Sequence, residues 1–207
     1  MSVMRWALLT LLVLAMLASG CSSGHASASH VVVTPSARIG PLQMDRSTRA
    51  DVIVFSGQPD VERRGVEYDS TPYVALGYSC AAKPNDEAFP VLETPGKGRT
   101  GPYCKTVFWM NQRTGKLGDF YTSSAKYSEV HGVRIGMKTG AAERLLHEPV
   151  DVGCEDLILL GKRNRTLTIA FAGGVDRHTG PSGLLGGHVY AFALHGHRSD
   201  IGVFDCL

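Results

Sequence analysis

The first twenty residues constrain everything that follows, because MSVMRWALLTLLVLAMLASG has the three parts of an export signal. Arg5 supplies the positive charge, Trp6 to Leu17 is apolar but for Thr10, and Ala18-Ser19-Gly20 are the small residues a signal peptidase needs. At about 1.5 Å per residue the apolar run extends only about 18 Å, short of the roughly 30 Å hydrocarbon core of a bilayer. Residues 1–20 are therefore expected to be removed, and the rest of the 207-residue chain to fold in an oxidising compartment. That bears directly on the cysteines. Beyond Cys21 there are four, Cys80, Cys104, Cys154 and Cys206, an even number that reads as two disulfides. Three pairings are open; spacing favours Cys80 with Cys104 and Cys154 with Cys206, one bridge in each half. Each closed loop would stabilise by about 3 to 4 kcal/mol through the unfolded state. A zinc site of four thiolates wants closely spaced cysteine pairs, which this sequence lacks.

The cysteine directly after Gly20 adds a second signal. Leu17-Ala18-Ser19-Gly20-Cys21 resembles the lipobox of bacterial lipoproteins, with Leu17 one place further out than the commonest spacing. The resemblance implies that Cys21 is diacylated on sulfur and becomes the mature N-terminus, holding the protein on the extracytoplasmic face of a cell membrane. A plain secreted protein with a chance cysteine is the alternative. Ser22 stands where Asp would otherwise follow the cysteine, which resembles outer-membrane sorting if the organism has two membranes.

A formal net charge of +2 argues against nucleic acid as a partner, since phosphate binding needs basic residues clustered on one element. The densest basic run, Lys162-Arg163-Asn164-Arg165, reads instead as a hairpin turn. From Ser22 to Ala37 the sequence is Ser/Ala-rich and too polar to offset its ordering entropy. Residues 21–37 are thus expected to be a flexible lipid tether, with Val31-Val32-Val33 the one stretch able to add an edge strand.

The remainder carries a weak internal repeat: IGPLQMDRSTRADVIVFSGQPD, then GVRIGMKTGAAERLLHEPVD. Each has an apolar stretch, a Met, a Ser/Thr helix cap, about two turns of helix and a terminating Pro. Ser47 or Thr48 caps the first; in the second Thr139 caps and Leu145-Leu146 is the buried pair. Strands follow each helix: Tyr73–Cys80, Cys104–Met110 and Lys116–Ser123, then Asp156–Leu160, Thr166–Ala172 and His188–Leu194. Lys83–Pro102 reads as a Pro/Gly-rich loop, and Gly173–Gly187 as a long glycine-rich one. The expected fold is α+β: two tandem helix-plus-antiparallel-sheet repeats, 38–130 and 131–207, in one compact domain with the helices on one face of the sheet.

The pattern carried by Ile135-Gly136-Met137, Thr139, Gly57-x-Pro59 and Glu148-Pro149 resembles the tandem repeats of the β-lactamase-inhibitory-protein type and the outer-membrane-assembly lipoproteins of the BamE/SmpA type. That resemblance implies a protein-binding sheet face. If the cysteines mark the packed face, strict alternation places Val74, Leu76, Tyr78, Thr106, Phe108, Met110, Tyr190, Phe192 and Leu194 with them. Tyr73, Trp109 and His195 then lie on the wet face, as anchors for another protein.

Catalytic motifs are missing. Gly180-Pro181-Ser182-Gly183 is not a nucleophile elbow, and the glycine-rich segment lacks a phosphate-binding lysine. His195 and His197 share a strand face and could supply two ligands to a metal. The expected role is non-enzymatic and without a cofactor: a membrane-anchored module binding an envelope protein, as scaffold, assembly factor or inhibitor. The alternative is a small-molecule or metal-binding carrier.

Overall fold

The computed structural model describes residues 30–68, 71–82, 89–94, 98–148, 151–152, 156–162, 165–172 and 187–196. Residues 1–20, expected to be a removed export signal, and Cys21, Cys154, Cys206, His197 and the glycine-rich segment 173–186 lie outside the described residues.

The strands are β1 (Val31–Thr34), β2 (Arg38–Ile39), β3 (Leu42–Gln43), β4 (Val61–Tyr68), β5 (Thr71–Ala81), β6 (Phe89–Thr94), β7 (Gly98–Asn111), β8 (Lys116–Thr122), β9 (Tyr127–Glu129), β10 (Asp151–Val152), β11 (Asp156–Lys162), β12 (Arg165–Ala172) and β13 (His188–His195). Two helices are described, α1 (Arg49–Ser56) and α2 (Thr139–Leu146). Nine strands form one antiparallel sheet in the order β10-β11-β12-β13-β8-β7-β5-β4, with β6 added against β7. It consists of two meanders that meet through their last strands, β8 and β13, in a register running from Phe192 opposite Thr122 to His195 opposite Asp119. A second sheet, β3-β2-β1-β9, has β1 and β9 parallel.

This corrects the expected α+β class of tandem helix-plus-sheet repeats. The described fold is dominated by strands, and its layers are a large sheet and a small one, with only short helices. Each helix has eight residues and buries little: Val52 in α1, Thr139 and Ala142 in α2. Helices of two turns are marginal on their own. α1 is held by a capping box in which Thr48 and Asp51 each bond the other's backbone, and the Thr48 N–H and hydroxyl, both donating to the Asp51 carboxylate, lower the pKa of that carboxyl. In α2 the cap is Lys138, with no side-chain bond; Thr139 lies inside the helix with its hydroxyl buried, and Leu145 is exposed.

The small sheet that covers the large one includes Val31–Thr34, from the end of the segment expected to be a tether. Val31–Thr34 forms β1, the inner strand between β2 and β9, and Val33 and Ala37 are fully buried. The first core lies between the two sheets. It joins Val33, Ile39, Leu42 and Met44 to Leu76, Phe108, Met110, Phe120, Leu167, Ile169, Phe192 and Leu194. Phe108, Phe120 and Tyr127 stack in tilted contacts at 5.0 and 5.3 Å between centroids. Thr106 and Thr122, both buried, satisfy each other across β7 and β8 at 2.8 Å.

Lys83–Pro102, expected to be a loop, contains β6, whose strand runs antiparallel to β7 from Phe89 opposite Cys104 to Thr94 opposite Gly98. Cys80 and Cys104 are bonded, as spacing favoured, from directly opposed positions on β5 and β7. They occupy the opposite face from Leu76 and Phe108. Ser79 adopts a left-handed conformation (φ 54°), which breaks the alternation between Tyr78 in the first core and Cys80 in the second. The bridge sits over Gly77, where a Cβ would lie 2.5 Å from the Cys104 sulfur and 2.9 Å from that of Cys80. Gly77→Ala is therefore expected to destabilise by about 1 to 3 kcal/mol through overpacking. A urea midpoint unchanged from the parent would contradict this placement of the bridge.

Burial pushes the phenols of Tyr78 and Tyr127 up to about 12. An unfolded tyrosine ionises near pH 10, so the native state holds these protons to higher pH than the unfolded chain does. The stabilisation is complete below about pH 10 and is lost as pH rises through the folded value. Urea midpoints measured into the alkaline range should fall there, and Tyr127→Phe should flatten the fall; an equally steep fall in that variant would show that other groups drive it.

Candidate functional site

The face expected to be wet is a second core. Tyr73 and Trp109 are 1% and 2% exposed, and with Ala75, Val91, Cys104, Val107, Tyr121, Ala170, Ala191 and Ala193 they form a continuous apolar cluster. β6 contributes Val91, which lies against Gly77. Tyr190, expected in the first core, packs here instead; an irregularity between Ala170 and Phe171 shifts the β12–β13 register and reverses the alternation. As anchors for another protein, Tyr73 and Trp109 are thus corrected: they are core residues. A tryptophan in a strand pattern reads as an interface anchor only when its face is wet, and here it is covered.

The chemically distinctive group on this face is Asp119, fully buried on β8, in register with Trp109 of β7 on one side and His195 of β13 on the other. Its Oδ1 lies 3.0 Å from His195 Nδ1. An ionised carboxylate only accepts, so a bond to it takes the Nδ1–H of the imidazole as its donor. Burying a carboxylate costs several kcal/mol unless hydrogen bonds replace its water, and the imidazole N–H is one such replacement. The pair also pins the junction of the two meanders, since it crosses from β8 to β13. Gly196 continues the junction: its N–H donates to the Gly118 carbonyl at 2.8 Å, and a Cβ there would meet that oxygen at 2.7 Å and Asp45 Oδ1 at 2.8 Å.

His195 is marked in the sequence by its spacing from His197, whereas Asp119 lies 76 residues away and carries no local signal. Among the described residues no group of three metal-ligating side chains gathers. A similar carboxylate–imidazole contact, Glu129 with His131 at 2.8 Å, serves the turn after β9, where Glu129 also accepts the His131 backbone N–H. No protein-family model, curated protein or solved structure matches the chain.

Because Trp109 fills the second core, Trp109→Ala should cost about 3 to 5 kcal/mol of stability. Its urea unfolding midpoint reads this directly, and a midpoint within error of the parent would return Trp109 to the surface.

Proposed function

We propose that this chain is an exported lipoprotein, anchored through acylated Cys21 on the extracytoplasmic side of the membrane, that binds another envelope protein without catalysing a reaction. The observation that carries the export reading is the Cys80–Cys104 bond, formed between opposed strands downstream of a signal segment and lipobox. Asp119, Glu129, Thr106 and Thr122, all buried, each bond to a residue of their own or an adjoining strand or turn.

With Tyr73 and Trp109 buried, the surface we assign to the partner is β4, the end strand of the large sheet among those described. Its sequence VERRGVEY carries exposed Arg63 and Arg64, and Glu62 pairs with both Arg64 and Arg49. An open sheet edge offers main-chain donors and acceptors to an added strand, while the arginines select for acidic side chains. These exposed ion pairs are worth under about 1 kcal/mol each to the fold, so they are free to re-pair.

Cross-linking of the full-length protein in its own envelope, followed by mass spectrometry, should capture one abundant protein through β4, and Arg63→Glu with Arg64→Glu should abolish the capture. Capture that survives this charge reversal would sink the β4 assignment. Acyl groups on the Cys21 peptide are the companion expectation, and a mature N-terminus without them would sink the anchor.

One observation favours the carrier alternative: a buried carboxylate orients His195 in the way that outer-shell carboxylates orient metal-ligating histidines. A carrier would melt at higher temperature in zinc or copper, and His195→Ala would erase that shift.

A further inference from the structure

The position of β1 carries a consequence for how the domain meets the bilayer. Cys21 precedes His30 by nine residues, a chain that reaches at most about 30 Å at about 3.5 Å per residue. A folded unit of this length has a diameter of about 40 Å by the usual scaling of radius of gyration. The tether is too short to pass around the domain. If acylated Cys21 is in the membrane, the surface beside the start of β1 must face it.

That surface is the outer face of the small sheet. Val31 and Val33 turn inward, so Val32 points out, and the register carries the same face across the strands. Val32 pairs with Ser128 of β9, itself buried, which bridges to exposed Arg134; Thr34 pairs with exposed Arg38 of β2, which pairs with half-buried Gln43 of β3. Val32 is 39% exposed and Val130, two residues beyond Ser128, is 51% exposed. Arg38 and Arg134 are exposed at either side of them, and Lys126 is exposed where its carbonyl receives the Val31 N–H. The one carboxylate in these four strands, Glu129, is buried and bonded to His131.

We infer that this face is a second, reversible membrane contact that lies flat on an anionic lipid surface, with the valines at the headgroup boundary and the arginines on lipid phosphates. The inference rests on the proposed anchoring at Cys21. Arginine stems cover apolar surface while their guanidinium groups bond phosphate, and cationic side chains are drawn to an anionic leaflet within about a Debye length. The short tether holds the face within that range, so an attraction too weak to recruit a free protein suffices to orient a tethered one. β4, the end strand of the large sheet among those described, is not part of this membrane-facing sheet.

The test uses the acylated full-length protein in phosphatidylcholine vesicles with and without phosphatidylglycerol. A photo-cross-linking amino acid is placed at Thr34, on the outer face, or at Arg63, opposite Ala75 of the second core and so on the far side of the large sheet. Position 34 should cross-link to phospholipid several-fold more than position 63, the excess should require phosphatidylglycerol, and Arg38→Glu with Arg134→Glu should bring it to the level of position 63. Equal cross-linking at both positions, no dependence on phosphatidylglycerol, or a product joining two protein chains at position 34 would each overturn the orientation. Mass spectrometry of the Cys21 peptide separates the causes: failure with the acyl groups present rejects only the orientation, whereas their absence rejects the anchor and the orientation with it.

Discussion

The large sheet is apolar on both faces, and that demand organises the molecule. A sheet with one wet face can stand on a single layer of cover, but Leu76, Phe108, Phe120 and Phe192 point one way while Tyr73, Trp109 and Tyr121 point the other. Each such side chain gains about 1.5 to 3 kcal/mol on leaving water, and loses it if its cover lifts. The first face is closed by the small sheet and, at its margins, by two short helices. The second is closed in part by β6, which returns along β7 from the cysteine bridge.

Closing the first face with β1 ties the core to the part of the chain nearest the proposed anchor. Val33 lies in the same cluster as Phe108 and Phe192, so β1 belongs to the cooperative unit. Lys126 lies over the rings of Phe55 and Tyr127 at 5.6 and 6.0 Å, where β1, β9 and α1 converge. The junction of the two meanders depends on a different interaction. There Asp119 and His195 bond across β8 and β13, so a polar pair holds register at a seam whose remaining side chains are mostly apolar.

Strands with strong apolar and aromatic content were legible in the sequence; β5, β8, β12 and β13 lie close to where alternation and turn residues put them, whereas β7 starts at Gly98, inside the segment expected to be a loop. Three kinds of element were not. β4 is an end strand whose VERRGVEY composition answers to solvent, so its pattern lacks the buried half that marks a strand. β6 is masked by the prolines and glycines around it. β1 is flanked by a polar, small-residue segment, and its three valines are paired along their length by the parallel partner β9, which lies nearly a hundred residues on. The fold class differs from the expected one for the same reason: the weak repeat marks the helices, whereas the first face is covered mainly by the strands of the small sheet. Strict alternation also misplaced the cysteines and Tyr190, because one left-handed residue at Ser79 and one bulge near Ala170 each reverse a face. Of the site, His195 could be named but not its partner, and Trp109 and Tyr73 could be named but not their cover.

The central claim is that β1 is part of the core and not the end of a tether. Native-state hydrogen exchange of the full-length chain tests it most directly, by comparing the Val31 amide, which donates to Lys126, with the strand amides of β7 and β8. The account predicts that β1 exchanges only through the same opening that releases β7 and β8, with the same dependence on denaturant. Fast exchange of β1 while β7 and β8 remain protected would contradict it, and would mean that something else covers Phe108 and Phe192.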